Sequence, residues 1–326
     1  MAETPFLSIE GISKQLNGQQ ALHPFSLSLA QHHRLAIVGS TGSGKSTLLK
    51  IVGGLLQTDS GRVFFENRRL LGPEEQLLPG NKGIAYLSQH FELRNNYRVE
   101  EILSFVNRLT TDATQHIFDI CRINHLLKRK TDQLSGGEKQ RIATAKLLLE
   151  HPSLLLLDEP FTNLDYAAKL LMKQVLDDIG QQLGITCVLV SHDPADTLAW
   201  ADSILVMQHG RMVQIGSPQQ VYYQPADSYI AGLLGDFQML TPLQQEALHI
   251  QQVSNQQPMV RSTYFQVAAS GQSNGVPALV KATAFAGSHY EVTVQLADAP
   301  LRVRSVLPIT TKQVWITLNE VPIQFW

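Results

Sequence analysis

Short runs of consecutive apolar residues alternate along the chain with stretches in which apolar residues recur every three or four positions. The first pattern is typical of strands buried on both faces of a parallel sheet, and the second is typical of amphipathic helices. The clearest buried runs are Ser153–Glu159 and Ile185–Ser191, and both end in polar side chains. The pattern therefore predicts an α/β fold for residues 1–235.

The same patterns place further elements in this first domain. Apolar spacings of three and four predict helices over residues 99–128 and over Glu138–Glu150, which makes residues of about 90–150 a mainly helical subdomain. A third helix is predicted over Lys45–Leu56. Other short apolar runs predict strands at Phe6–Glu10, Phe25–Ala30, Arg34–Gly39, Arg62–Phe65 and Gly83–Ser88.

The pattern changes after residue 235. Residues 236–258 are rich in Gln and poor in apolar side chains, which is typical of a linker with at most one short helix. Residues 259–326 then contain short β-type segments separated by Gly and Pro, so we expect a small all-β barrel of OB type. These segments are Met259–Ala269, Ala278–Gly287, His289–Ala297, Leu301–Leu307 and Lys312–Leu318.

Composition narrows the class of protein. The chain has 326 residues, of which 44% are hydrophobic, and a formal net charge of −2. Such a balance gives no basic footprint for nucleic acid, so no nucleic-acid partner is expected. The two cysteines, Cys121 and Cys187, lack metal-type spacing and are interpreted as buried, reduced thiols. We expect neither a signal peptide nor a stretch of about 20 apolar residues that could span a membrane.

Gly39–Thr47 reads GSTGSGKST and matches the pattern G-x-x-x-x-G-K-[ST] between a predicted strand and a predicted helix. In such a loop the backbone N–H groups surround phosphate oxygens, while Lys45 reaches the β and γ phosphates and Ser46 is placed to hold Mg²⁺. The motif alone does not decide which nucleotide is bound. The candidate nucleotide-binding residues are Gly39, Ser40, Thr41, Gly42, Ser43, Gly44, Lys45, Ser46 and Thr47.

Polar residues at the ends of later strands supply candidate chemistry. Asp158 ends an apolar run and can hold the metal, while Glu159 follows it and can polarise a water molecule. His192 follows the next strand and can donate to a γ-phosphate. Gln89 follows another and offers an amide to the metal and the water. Each would be unremarkable alone, but together with the phosphate loop they favour nucleotide hydrolysis.

A second phosphate-binding pattern lies in Leu134–Arg141, LSGGEKQR, where Ser135, Gly136 and Gly137 lead into a predicted helix. Free N–H groups and the helix dipole favour an anion at such a terminus.

The ordered set of Gly39–Thr47, Gln89, LSGGEKQR, LLLLDEP, NLD and His192 resembles the ATP-binding cassette ATPases over residues 1 to about 235. The resemblance implies that two copies pack head to tail. Each ATP then lies between the phosphate loop of one copy and the LSGGEKQR segment, Leu134–Arg141, of the other, which we call the signature. The resemblance also implies that Glu159, His192, Gln89 and Lys45 serve hydrolysis, that Mg²⁺ is held by Ser46, Gln89 and Asp158, and that Asp165 contacts the opposite copy.

The segment Gly216–Leu240 and the β segments after it are similar to the ATPase subunits of bacterial solute importers, with their TOBE regulatory domain. The resemblance implies peripheral attachment at the cytoplasmic face of the cell membrane, integral membrane permease subunits as partners, and a separate solute-binding protein. One departure is Leu16, which stands where the family has an aromatic residue that stacks on adenine.

Three other classes of ATPase or cassette protein fit the sequence less well. An exporter ATPase is the nearest, although the C-terminal β domain argues against it. A cytosolic ATPase acting on ribosomes or DNA fits less well, because such members carry two cassettes or a long coiled-coil insertion and bind a polyanion. An enzymatically inactive regulatory cassette is disfavoured because every hydrolytic position is filled.

Overall fold

The computed structural model describes residues 5–89, 93–251, 253, 256–268, 275–319 and 323–326. The chain divides into two compact units, Met1–Pro218 and Gln219–Trp326. This division falls before residue 235, where the sequence analysis placed the end of the first domain. None of the helices in the described ranges is long and apolar enough to cross a lipid bilayer.

The first unit contains a parallel sheet, an antiparallel sheet and the helices that connect them. Its strands are β1 (Leu7–Leu16), β2 (Gln19–Leu29), β3 (Arg34–Val38), β4 (Ser60–Phe65), β5 (Arg68–Arg69), β6 (Ile84–Leu87), β7 (Leu154–Asp158), β8 (Thr186–Val190), β9 (Ser203–Gln208) and β10 (Arg211–Gly216). Its helices are α1 (Lys45–Val52), α2 (Val99–Ser104), α3 (Thr111–Cys121), α4 (Gly136–Leu148), α5 (Tyr166–Leu183) and α6 (Pro194–Thr197).

The central sheet has the order β10-β9-β3-β8-β7-β6, and all its neighbours pair in parallel except β9 and β10. Every residue of β7 and β8 is buried, as the continuous apolar runs predicted. Because β3, β8, β7 and β6 are adjacent and parallel, the loops after them share one edge of the sheet. That edge is where ligands bind in open α/β sheets.

The antiparallel sheet has the order β2-β1-β4-β5. Strands β1 and β2 extend beyond Phe6–Glu10 and Phe25–Ala30, because they continue to a tight turn at Asn17 and Gly18. Both turn residues have positive φ, 51° and 77°, as two-residue hairpin turns require. The Asn-Gly pair was the signal for this hairpin, and the sequence analysis did not use it.

The second unit is a small barrel with short helices before it. It comprises α7 (Pro218–Tyr223), α8 (Ser228–Leu234), β11 (Phe237–Met239), α9 (Pro242–Ala247), β12 (Pro258–Arg261), β13 (Phe265–Ala268), β14 (Val276–Phe285), β15 (Tyr290–Leu296), β16 (Ala299–Ser305), β17 (Gln313–Leu318) and β18 (Gln324–Phe325). The barrel closes in the order β13-β16-β15-β14-β17 around a buried apolar core. The predicted OB-like all-β domain is confirmed, although Ala269, the end of its first segment, lies outside the described residues.

The segment expected to be a linker contains β11 and α9. Thr241 caps α9, since its hydroxyl accepts a hydrogen bond from the N–H of Gln244, and Pro242 occupies the first helical position. The one short helix allowed for this segment is therefore present, while the three residues of β11 are too few to leave a periodic pattern.

Candidate functional site

The polar residues that the sequence placed after four strands all lie at the carboxyl edge of the central sheet. The loop Gly39–Gly44 follows β3, Asp158 ends β7 and His192 lies two residues beyond β8. Gln89 lies two residues beyond β6. Since β3, β8, β7 and β6 are neighbours in that order, one site can use all of these side chains.

The loop before α1 has the backbone geometry of a phosphate-binding loop. Gly44 has φ of 96°, and a Cβ at this position would lie 2.6 Å from the carbonyl oxygen of Ala21. Only glycine fits both constraints. Thr41 and Gly42 are exposed at the tip of the loop, whereas Ser46 and Thr47 lie in the first turn of α1. The N–H groups at the start of that helix have no partner within it, and they suit an anion.

Lys45 is a buried cation without a carboxylate partner in the described ranges. Its side chain is only 6% exposed. Its Nζ donates to the carbonyl oxygens of Gly39 and Ser40, both at 2.8 Å, and to Ser43 Oγ at 3.3 Å. Burial lowers the pKa of Lys45, and the negative charges of Glu159 and Asp158 oppose that shift. A buried ammonium held by carbonyl oxygens is well suited to a phosphate anion.

Asp158 is fixed from both sides. Its side chain is buried, its Oδ1 accepts a hydrogen bond of 2.9 Å from Ser46 Oγ, and its Oδ2 accepts one of 2.8 Å from the Tyr86 hydroxyl. Burial, together with the bond to Asp158, raises the pKa of Tyr86, so this hydroxyl remains a donor. One carboxylate and one hydroxyl form the donor set that Mg²⁺ uses when phosphates and water complete its shell.

Three polar side chains converge on one oxygen of Glu159. Thr162 Oγ1 lies 3.0 Å from Glu159 Oε2, and Gln89 Nε2 and His192 Nδ1 each lie 3.5 Å from it. The backbone of Glu159 has φ of 50°, and its N–H donates to the carbonyl of Val190 at 3.0 Å. This strained conformation turns the carboxylate away from the strand direction and towards Gln89 and His192.

The signature turn has a different environment. Ser135 caps α4: its hydroxyl accepts from the N–H of Glu138, and its own N–H donates to Glu138 Oε2 at 2.8 Å. A Cβ on Gly137 would meet Ala168 Cβ at 2.8 Å, so packing on α5 requires glycine there. A Cβ on Gly136 would meet no atom within 4 Å. The turn is therefore open to solvent at Gly136 in the described part of the chain.

Asp165 is placed at the start of α5. Its Oδ1 accepts a hydrogen bond of 2.8 Å from the N–H of Ala168, which is the geometry of a helix cap. The structure therefore brings together the phosphate loop, Gln89, Asp158, Glu159 and His192. Within the described ranges, no hydrogen bond joins Ser135 or Asp165 to that group.

Two residues of the site were missed by the sequence analysis. Tyr86 pairs with Leu156 across β6 and β7, which puts it diagonally next to Asp158 on the same face of the sheet. Thr162 lies three residues after Glu159 in the turn that follows β7. The signal for Tyr86 was a hydroxyl side chain on β6, the strand next to the one that ends in Asp158. That signal could be used only once the order of the strands was known.

Comparisons with known proteins establish the family of this chain. A sequence model of the ABC transporter family matches residues 22–162. The maltose/maltodextrin import ATP-binding protein MalK of Escherichia coli is 31% identical over 261 residues, which cover 78% of this chain and 69% of MalK.

Solved structures share the fold. The structure of cbiO1 from Clostridium perfringens, part of the ABC transporter complex cbiONQ, is 26% identical with a TM-score of 0.57, covering 67% of this chain and 91% of that one. The dimeric, post-hydrolysis ATP-binding cassette MJ0796 with ADP and Pi is 24% identical with a TM-score of 0.56, covering 65% of this chain and 98% of that one.

The cassette fold and the MalK similarity together confirm the resemblance inferred from the motifs, including the C-terminal TOBE-like barrel. The chain belongs to the ABC transporter family and is one of its ATP-binding, ATP-hydrolysing subunits.

Proposed function

We propose that this chain powers a membrane-bound solute importer as a homodimer that binds two ATP molecules between its subunits. Two features of the same chain carry the proposal. The residues needed for hydrolysis lie together at one edge of the sheet, and the signature turn is exposed elsewhere on the surface. Glu159, Asp158 and Lys45 lie around one edge of the sheet, while Gly136 is open to an external contact. A hydrolytic group of this kind lacks one face until a second subunit supplies it.

The proposed chemistry is attack of water on the γ-phosphorus of ATP. Glu159 Oε2 accepts a proton from the water as its oxygen bonds to phosphorus, and the bond from the γ-phosphorus to the bridging oxygen breaks to leave ADP. Gln89 and His192, each 3.5 Å from Glu159 Oε2, are placed to orient the water and to donate to the γ-phosphate. Lys45 neutralises charge on the phosphates.

Mg²⁺ fits the residues present. Ser46 Oγ and the Asp158 carboxylate would hold it, with the Gln89 amide available as a further oxygen donor. The ion would neutralise charge that develops on the phosphate oxygens. The role of this chain is to keep Asp158 in place, and Tyr86 and Ser46 do so from its two oxygens.

Closure of the dimer would be driven by ATP. The Ser135 hydroxyl and the N–H groups at the start of α4 would complete the shell around the partner's γ-phosphate, and Asp165 would contact the same partner. ATP thereby stabilises the closed dimer over the open one. The dimeric form of the cassette MJ0796, which shares this fold, supports the arrangement.

The importer assignment rests on MalK, whose name describes maltose/maltodextrin import, and on the barrel that follows the cassette. Integral permease subunits would hold the dimer at the cytoplasmic face of the membrane as a peripheral component. A separate solute-binding protein would deliver the solute. Residues 1–235 would act as the cassette, and residues 259–326 as the TOBE-like domain.

Affinity purification from gently solubilised cells tests this proposal. The tagged Glu159→Gln variant keeps its ATP contacts but lacks the base, so ATP should hold it in the closed state. A polytopic membrane protein that copurifies in the presence of ATP is the expected result. The Lys45→Ala variant, which loses the phosphate cation, is the control for ATP dependence. Recovery of ribosomal proteins or nucleic acid with Glu159→Gln would contradict the proposal.

A further inference from the structure

Two lysines of α5 bind two aspartates that follow His192. Lys169 Nζ lies 2.6 Å from Asp193 Oδ2 and 2.8 Å from Asp196 Oδ1, and Lys173 Nζ lies 2.9 Å from Asp196 Oδ1. We call these four residues the α5–α6 ion-pair cluster. The lysines are four residues apart, so they lie on one face of α5. None of them belongs to the motifs that define the nucleotide site.

The cluster is more constrained than a surface ion pair. The Asp196 side chain is 2% exposed, and its second oxygen, Oδ2, accepts a hydrogen bond of 3.1 Å from Ser191 Oγ. Lys173 Nζ also donates to the carbonyl of Ala195 at 2.7 Å and lies 5.8 Å from the centre of the Phe161 ring. Asp196 is the buried charge of the cluster, whereas the two lysines are 25% and 27% exposed. A buried carboxylate keeps its partners close, because it loses much free energy if they move away.

The bonds of the cluster hold the chain on both sides of His192. Ser191 Oγ accepts from the N–H of Asp193 at 3.1 Å and donates to Asp196. Asp193 is held by Lys169. Between these two anchored residues the His192 side chain is 65% exposed, with its Nδ1 3.5 Å from Glu159 Oε2. The backbone is fixed while the ring stays available to a ligand.

The other side of α5 contacts the signature helix. Gly137 of α4 packs so closely on Ala168 that a Cβ would lie 2.8 Å from the Ala168 side chain. Ala168 directly precedes Lys169 in α5. The same helix therefore touches the signature turn and anchors the loop of His192.

We propose that Lys169, Lys173 and Asp196 are positioning residues that hold His192 in register with Glu159 and with α5. They act through His192 and touch no reacting atom. The inference rests on the proposed function, in which His192 donates to the γ-phosphate. It adds that the placement of this ring is set by α5, the helix on which the signature turn packs.

Neutralising Asp196 with a matched control tests the inference. Asp196→Asn keeps the shape of the side chain and removes the charge that forms ion pairs with Lys169 and Lys173. The control Asp178→Asn neutralises an aspartate of α5 that pairs with Arg122 at 2.7 Å, away from His192. Single-turnover hydrolysis of radiolabelled ATP by excess protein resolves slow rates. We expect the single-turnover rate of Asp196→Asn at saturating protein to fall roughly 10- to 100-fold, with the protein concentration at half-maximal rate little changed, while Asp178→Asn stays within about twofold of the unmodified chain.

A double-mutant cycle separates positioning from folding. If Asp196 acts through His192, then Asp196→Asn should cause no further loss in the His192→Ala background. An equal loss in both backgrounds, or an equal loss in Asp178→Asn, would overturn the inference. Full activity of His192→Ala would instead overturn the role of His192 in the proposed function. Thermal unfolding verifies that each variant is folded, and Lys173→Gln replaces Asp196→Asn if the latter does not fold.

Discussion

The Tyr86 hydroxyl and Asp158 Oδ2 are 2.8 Å apart, and this bond joins β6 to the end of β7 at the edge of the sheet where we propose that Mg²⁺ binds. Tyr86 is the partner of the carboxylate oxygen that Ser46 does not bond. Groups that orient a metal ligand in this way commonly change metal affinity by one to two orders of magnitude when removed. Asp158 is thus held in place before any ion arrives.

Tyr86→Phe should raise the Mg²⁺ concentration needed for half-maximal stabilisation by ATP by roughly tenfold. The ring remains to fill its site, so the thermal midpoint without nucleotide should change little. The measurement is a thermal-shift titration with Mg²⁺ at constant ATP, and Tyr97→Phe, at an exposed tyrosine, is the matched control. An unchanged Mg²⁺ dependence in Tyr86→Phe would remove Tyr86 from the site.

Leu16, at the position where the family has an aromatic residue that stacks on adenine, leads to a second prediction. Leu16 ends β1, is 39% exposed and has no aromatic face to stack on adenine. We expect the chain to hydrolyse ATP and GTP with similar kcat/KM. Leu16→Tyr should tighten ATP binding by about 1–3 kcal/mol, the range for a base stacking on an aromatic ring.

Competition of ATP and GTP for a fluorescent nucleotide analogue measures the effect of Leu16→Tyr. Leu55→Tyr, at a similarly exposed leucine in the same unit, controls for added aromatic surface. If the unmodified chain already prefers ATP strongly, or if both variants gain affinity equally, Leu16 does not lie beside the base.

Cys121 and Cys187 lead to a prediction about reactivity. Both are fully buried, and burial raises the pKa of each thiol from 9.0 to about 12. The reactive thiolate is therefore scarce in the folded chain at pH 8. Neither should react with iodoacetamide until the protein is denatured, which peptide mass spectrometry detects.

The same pKa shifts affect stability at high pH. Because the folded pKa lies above the unfolded one, the stabilising contribution of these thiols is complete below about pH 9. It is lost as the pH rises towards 12, since the unfolded chain then releases protons that the folded chain retains.

The iodoacetamide experiment would contradict the burial of these thiols if either cysteine were alkylated in the folded chain at pH 8.

The parts of the fold that the sequence predicted are those with a local cause. β7 and β8 could be predicted because both faces of these strands are buried, which produces continuous apolar runs in the sequence. The loop before α1 could be predicted because its backbone geometry requires glycine, which leaves a recognisable pattern in the sequence. Because the buried strands were expected to pair in parallel, the residues after them were expected to meet at one edge, as they do.

The features that the sequence analysis did not predict are of two kinds. Some depend on contacts between segments far apart in the chain, and others depend on turn residues that the analysis did not interpret. Tyr86 meets Asp158 only through the register of β6 on β7. Asp196 gains its partners only when α5 packs beside the loop after β8. The sequence analysis made no prediction for α5 or for the hairpin of β9 and β10. In the structure the turn of this hairpin is formed by His209 and Gly210, with φ of 48° and 72°.

In the proposed dimer each ATP is held between the phosphate loop of one subunit and the signature turn of another. Disulfide cross-linking tests it directly, in a Glu159→Gln chain that also carries Ser40→Cys and Ser135→Cys. The two native cysteines are buried and do not interfere. We expect a covalent dimer on a non-reducing gel with ATP and Mg²⁺, and none from either single cysteine variant. A chain that binds ATP yet forms no covalent dimer would contradict it.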